Sequence, residues 1–319
     1  MAGSGSITLA TGAPIDGGPL SFENIYQAVM KAISDPNYAR QDEVKEMINM
    51  IYFELMACDE LYPLYWLVEC DETRKTATRG TITGITQASP GVVTSAAHGL
   101  ATGDLVMLDG IVGMTELNKR TARIVKVDAN SYQLTDLAGA NLATSGYTAY
   151  SSGGYAYYRG SSIDNCSRIL KAGLYGYNDP LASITPQDVE NDSSLTDTSL
   201  RRPTRYHHRQ AFNITTGAQY DYIELYGAAD AAYYLRVWYE KQPARMYNTT
   251  DIPYMPHRFM PAIIAGAITR LGENKVQVEA GVIWPGIYQM HIEAMKSANR
   301  RWWHEHENSA AVQRKGFLK

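Results

Sequence analysis

The sequence predicts an α+β fold, a helical core with a small antiparallel sheet, interrupted by an inserted all-β, barrel-like domain. Three observations carry that reading. Apolar residues recur at helical spacing near both ends of the chain. Between Gly80 and Tyr158 the helical period vanishes, and short runs rich in Thr, Val, Ser and Gly alternate with turn residues. From Tyr206 to Glu240, three segments alternate at the period of a strand. A chain of 319 residues has room for two or three domains. The division predicted is a flexible arm over 1–20, core over 21–77, insert over 78–158, core again over 159–307, and a tail over 308–319.

Taken in order, residues 1–20 carry Gly, Ser, Thr and Pro without periodicity and bury too little to order alone. Ser21 has the chemistry of a helix N-cap, and Phe22, Ile25, Tyr26, Val29, Met30 and Ile33 form one stripe that Asp35-Pro36 stops. A second helix starts near Arg40–Asp42 with Val44, Met47, Ile48, Ile51 and Leu55 on its apolar face. Leu64–Val68 reads as a strand. In the insert, the runs starting at Thr81, Gly91, Leu105, Thr121 and Ser131 read as five strands separated by Gly- and Asp-rich turns. A short helix is expected near Ser162–Ala172, and a helical turn followed by loop over Thr185–Arg202. Strands follow at Tyr206–Ile214, Tyr220–Leu225 and Ala232–Glu240, forming the small sheet. The last turns Tyr233, Leu235, Val237 and Tyr239 to one face and Tyr234, Arg236, Trp238 and Glu240 to the other. Pro256 opens a helix reaching Leu271, and Pro285-Gly286 opens a final helix with Ile287, Met290, His291, Ala294, Met295, Ala298 and Trp302 on its stripe.

Composition narrows the function. The 29 Lys and Arg against 33 Asp and Glu, net −4, exclude a strongly basic coat on nucleic acid. Three widely spaced cysteines fit reduced, mostly buried thiols better than a disulfide framework or a CxxC metal site. The N-terminus lacks the basic and apolar regions of a signal peptide, and no apolar run is long enough to span a membrane, so synthesis in a cytoplasm is expected. The excess of 23 Tyr over 5 Phe suits half-buried surfaces such as subunit contacts.

His98-Gly-Leu-Ala-Thr-Gly-Asp104, then Gly110-Ile-Val-Gly-Met-Thr-Glu-Leu-Asn118, then Val127-Asp-Ala-Asn-Ser-Tyr-Gln-Leu134 resemble a small β-barrel module of bacteriophage virion proteins. That module is likened to the first catalytic-cysteine half-domain of ubiquitin-activating enzymes, and the resemblance implies a non-enzymatic contact domain. Outside the insert, the N-terminal helix pair, Leu235-Arg-Val-Trp-Tyr with Pro243, the Asp251-x-Pro-x-Met-Pro-x-x-Phe259 run and the long last helix resemble tailed-phage head–tail adaptors. This resemblance covers 21–75 and about 160–319. It implies a structural virion protein, made in the bacterial host's cytoplasm, that forms a closed ring of twelve-fold order. The ring would bind the portal protein above and tail nozzle or tail tube proteins below. Genomic DNA would pass through it without sequence-specific binding, and neither a membrane nor a cofactor is implied.

Candidate partner-binding residues are Arg300, Arg301, Trp302 and Trp303, with Val312, Arg314, Lys315, Phe317 and Leu318 in the tail. Trp and Arg dominate interface hot spots, and an aperiodic tail orders only on a partner. The same tryptophans could instead fold back on the subunit's core. His304 and His306 lie two apart and share no helical face, His207-His208 point to opposite sides of a strand, and His291 sits on an apolar stripe, so no metal site is expected. No nucleophile motif surrounds any Ser, Cys or His, and no catalytic residue is assigned. The alternatives are a virion-associated peptidoglycan hydrolase, which needs a catalytic Glu in a cleft, and a glycan-binding tail accessory protein using the insert.

Overall fold

The structure, a computed structural model, describes residues 20–33, 41–185, 187–188, 198–273 and 280–309. The expected arm over 1–20 lies outside them except for Leu20, and the expected tail over 308–319 except for Asn308 and Ser309, which belong to the last helix. Two compact units form: Met1–Val68 with Gln242–Lys319, and Glu69–Lys241.

The first unit is helical. It contains α1 (Phe22–Ile33), α2 (Gln41–Met56), α3 (Pro261–Glu273) and α4 (Ala280–Ser309). Ser21 caps α1 as its sequence predicts: Asn24 N–H donates to Ser21 Oγ at 3.2 Å, and Ser21 N–H donates back to Asn24 Oδ1 at 3.2 Å. α3 packs against α1, α2 and α4. Being surrounded, it buries Ala262, Ile263, Ala265, Ala267, Ile268 and Leu271. Gly266 makes the approach possible, because a Cβ there would lie 2.6 Å from Ile51 Cγ2 and 2.7 Å from the Tyr288 ring. Asn49, buried in α2, grips the Met246 backbone at both ends: its Nδ2 donates to Met246 O at 3.0 Å, and its Oδ1 accepts from Met246 N–H at 2.9 Å. That grip ties two segments far apart in sequence.

The second unit is all β among its named elements apart from a 3-10 turn at Thr115–Leu117. A ten-stranded mixed sheet contains β2 (Gly80–Thr81), β3 (Gly84–Ile85), β4 (Val92–Thr94), β5 (Asp104–Val112), β6 (Arg120–Lys126), β7 (Ser131–Thr135), β8 (Ser152–Ile163), β10 (Ala182–Ser183), β11 (Arg205–Phe212) and β12 (Gln219–Tyr226). Its order is β10-β11-β12-β8-β5-β6-β7-β4-β3, with β2 paired to β8. A three-stranded sheet has the order β1 (Val68–Asp71), β13 (Leu235–Lys241), β9 (Cys166–Leu174). Strand β8 joins the halves: β5 runs along it, while its other edge takes β2 at Tyr155–Ala156 and β12 at Gly160–Ile163. Gly160 is required at that crossing. Its φ is +139°, and a Cβ would sit 1.9 Å from Ile223 O. One buried cluster continues from Val93, Val106, Ile124 and Tyr132 through Tyr158 and Cys166 to Ile223, Leu235 and Val237.

That continuity overturns the predicted class. The protein is mostly β, a ten-stranded mixed sheet plus a three-stranded one with four helices among the described residues, rather than a helical core with its own small sheet interrupted by a barrel-like insert. The strands over 205–241 complete the core of the β unit, and β13 pairs with β9 rather than with β12. The expected border at 158 falls inside β8. The expected helix near Ser162–Ala172 is instead the end of β8 and most of β9, which buries Cys166, Ala172 and Leu174 on one side. Tyr65–Leu67 form a turn, and the strand begins only at Val68. The last helix starts at Ala280, with Pro285 inside it, and buries Tyr288, Met295, Asn299 and Trp303. Its buried face is thus turned about one residue from the predicted stripe, leaving Met290 60% exposed. No helix of the described residues is long and apolar enough to cross a membrane.

Candidate interaction surfaces

The residues that carry the module's resemblance lock turns. Leu100 N–H donates to His98 Nδ1 at 3.0 Å, so the ring's other nitrogen bears the proton and donates to Asp128 O at 3.0 Å. Asn130 Oδ1 accepts from Ala97 N–H at 2.9 Å. The first and third motifs are therefore fastened to each other. Asn118 imitates a strand partner for Ile111, accepting its N–H at 2.8 Å and donating to its carbonyl at 3.0 Å. Asp104 Oδ2 accepts from Ala101 N–H at 2.7 Å, and burial pushes its carboxyl up to about 6 despite that bond and the nearby Arg74 and Lys126 cations. His98, Asn118, Asn130 and Asp104 Oδ2 are thus occupied in holding backbone.

Where β9, β11 and β12 meet, Cys166, His208 and Asp221 converge. His208 Nε2 lies 4.0 Å from Cys166 Sγ and 3.1 Å from Asp221 Oδ1. One ring nitrogen faces both partners, whereas a nucleophile's base needs one nitrogen for each. Burial holds the His208 ring below its usual range and, with Asp221 close by, pushes the fully buried Cys166 thiol up to about 12. The thiol is protonated and inaccessible at neutral pH, so this cluster is a core feature. Cys58 and Cys70 are half-buried free thiols, each raised to about 11 by burial and neighbouring carboxylates. His207 Nδ1 contacts Ile184 O, His306 Nδ1 contacts Trp302 O, and burial lowers His291. Among the described residues, no group of three or more His, Cys, Asp or Glu is placed to hold a metal ion.

The four partner-binding candidates of α4 separate by depth. Trp303 is 6% exposed and donates from Nε1 to Pro63 O at 2.7 Å, so it belongs to the subunit's own core. Trp302 is half-buried between Tyr65, at 5.3 Å between ring centroids, and His306, at 4.0 Å. Arg300 and Arg301 are exposed, Arg300 lying 3.7 Å from Asp59. Val312, Arg314, Lys315, Phe317 and Leu318 lie outside the described residues. Sequence reasoning passed over Asn299, which organises the cluster. Fully buried, it accepts from Tyr65 N–H at 2.9 Å and donates to Asp59 Oδ2 at 3.1 Å. An Asn directly before Arg-Arg-Trp-Trp on an apolar helix face was the available signal.

The Asp251 run builds a second surface. Asp251 Oδ2 accepts from the Tyr247 and Asn248 N–H groups at 2.7 and 2.8 Å, bonds that hold its carboxyl below the usual range. Its own carbonyl accepts from Phe22 N–H at 2.7 Å at the start of α1. The tightened loop displays Tyr247, Ile252 and Tyr254, which are 75, 52 and 46% exposed. On α2, whose Tyr52 Oη accepts from Tyr254 N–H at 3.0 Å although 202 residues separate the two, Met50 and Phe53 are 50 and 38% exposed. Apolar side chains held in place yet left open are the composition of a docking surface.

Two comparisons with known proteins bear on these sites. A family model described as the ubiquitin-activating enzyme E1 FCCH domain matches residues 88–158. The match supports the likeness of the small β module, and the matched residues contain no cysteine. No curated protein matches the chain.

Proposed function

We propose that this chain is a structural virion protein, a head–tail adaptor that forms a closed ring beneath a phage portal and links it to the tail. The observation that carries the reading is the pairing of a turn-locked, FCCH-like β module with a helical unit that holds apolar and aromatic side chains open on α2 and the Asp251 loop. A ring subunit needs two different surfaces that complement each other, and stickiness at its own surface rather than a reactive pocket. The converging titratable groups at Cys166, His208 and Asp221 are chemically quiet, in keeping with a non-enzymatic role. Net charge of −4 suits a conduit through which DNA slides, since a lumen that gripped phosphates would oppose movement. Portal and tail tube proteins are then the partners and the head–tail junction the location.

The test is reconstitution. Purified chain mixed with portal rings should yield a complex of defined mass with one adaptor ring per portal. A chain that stays monomeric and unbound at micromolar concentrations of both would overturn the proposal.

A further inference from the structure

The loop over 245–254 and α2 form one strip on which apolar side chains stand exposed. Three contacts lay the loop along the helix: Arg245 pairs with Glu46, Asn49 Oδ1 accepts from Met246 N–H at 2.9 Å, and Tyr52 Oη accepts from Tyr254 N–H at 3.0 Å. Met50 and Phe53 each follow one of these anchors by a single residue, three apart on the helix, and share the strip with Tyr247 and Ile252 of the loop. The charged groups along it are already engaged, Glu46 with Arg245 and Asp251 with the Tyr247 and Asn248 N–H groups. What the strip offers a partner is apolar area, not charge.

The chain itself delivers an occupant. The described residues begin at Leu20, which is half-buried against the helical core, its N–H donating to Met260 Sδ at 3.2 Å. Phe22 N–H donates to Asp251 O at 2.7 Å and Glu23 N–H to Thr249 O at 3.1 Å. Residues 1–19 therefore enter the fold beside the peptide group that joins Asp251 to Ile252. Their one charged side chain is Asp16, and their apolar residues include Ile7, Leu9 and Ile15. Ile15 is within about 17 Å of Leu20 even at full extension. Gly17-Gly18 between them gives the backbone freedom to turn back.

We propose that residues 1–19 pack over this strip on their own subunit, bringing Ile7, Leu9 and Ile15 against Met50, Phe53, Tyr247 and Ile252. Attachment selects this occupant over a second copy. A segment tethered beside its site acts at an effective concentration of about 1 mM, far above the concentration of free copies in a micromolar solution. A contact with a Kd of about 0.1 mM is then about nine-tenths formed. The inference concerns the single subunit and does not rest on its forming a ring. A copy with this segment in place presents no sticky patch here, and a partner docks at the strip only by displacing it.

The test uses the full chain carrying Ile252→Cys or, separately, Phe53→Cys, both at exposed positions. Modification of the new thiol by a maleimide is timed with and without residues 1–19, and mass spectrometry tells it from Cys58 and Cys70. Removing the segment should speed modification about tenfold at both positions, and the rate in the full chain should not change with protein concentration. Synthetic peptide 1–19 at about 1 mM should restore the slow rate to the shortened chain, and a scrambled peptide should not. Equal rates with and without the segment overturn the proposal, as does a shortened chain on which the two peptides act alike. Protection that needs the segment but grows with protein concentration assigns the strip to the segment of a neighbouring copy, and overturns it as well.

Discussion

Replacing Asn299 with Ala should loosen the end of α4 from the loop over 59–65. Three consequences follow from the geometry. The Tyr65 N–H loses its acceptor at 2.9 Å in a place where Asn299 leaves no solvent access. An orphaned buried donor costs about 1–3 kcal/mol. Asp59 loses a donor at 3.1 Å and keeps Arg300 at 3.7 Å, for about 1 kcal/mol more. The space left by the amide adds a cavity beneath Trp303, whose bond to Pro63 O holds the same loop. The total is about 3 kcal/mol. Urea unfolding followed by tryptophan fluorescence is the assay, since Trp66, Trp284, Trp302 and Trp303 all lie in the helical unit and Trp238 alone in the β unit. With an m-value of about 2–3 kcal/mol/M, the helical unit's midpoint should fall by about 1 M. A shift below about 0.2 M would refute the reasoning, because it would mean the loop is held without Asn299.

Gly160→Ala should cost about 3 kcal/mol or more, since its Cβ meets the Ile223 carbonyl of β12; hydrogen exchange should rise first at 221–224, and unchanged protection there would contradict the account. Asp104, raised to about 6 from an ordinary 3.8, binds its proton more tightly in the folded chain, so its contribution to stability falls as pH rises from about 4 to about 6. Asp104→Asn should therefore be more stable than wild type at pH 7 by up to about 3 kcal/mol, with the gap closing near pH 4; a gap independent of pH would count against a buried, raised carboxyl. Removing 308–319 should leave a folded subunit that no longer joins portal, as read by co-sedimentation; normal binding would relieve the tail of that role. A cell-wall zymogram should stay free of lysis zones, and a zone abolished by a single Glu substitution would make the protein a hydrolase.

What the sequence disclosed was local. α1 and α2 were legible because Ile25, Val29, Ile48 and Ile51 repeat at helical spacing, and Ser21 caps within three residues of itself. The motifs around His98, Asn118 and Asn130 were legible as one module, while the backbone bonds these side chains make, some spanning 30 and 33 residues, were not. What it concealed was long-range. Nothing near β13 indicates that its partner is β9 rather than β12, a choice settled by a core that also needs Cys166 and Tyr158. The face of α4 was misjudged because a polar residue, Asn299, is buried by partners 234 and 240 positions away, and apolar patterning gives no weight to a satisfied amide. Of the candidate surface, Trp303 proved to be core for the same reason.

Electron cryomicroscopy of intact particles containing this chain measures the central claim directly. A closed ring of copies between portal and tail is the result the account predicts. Density for the chain elsewhere on the particle, or none at the junction of capsid and tail, would contradict it.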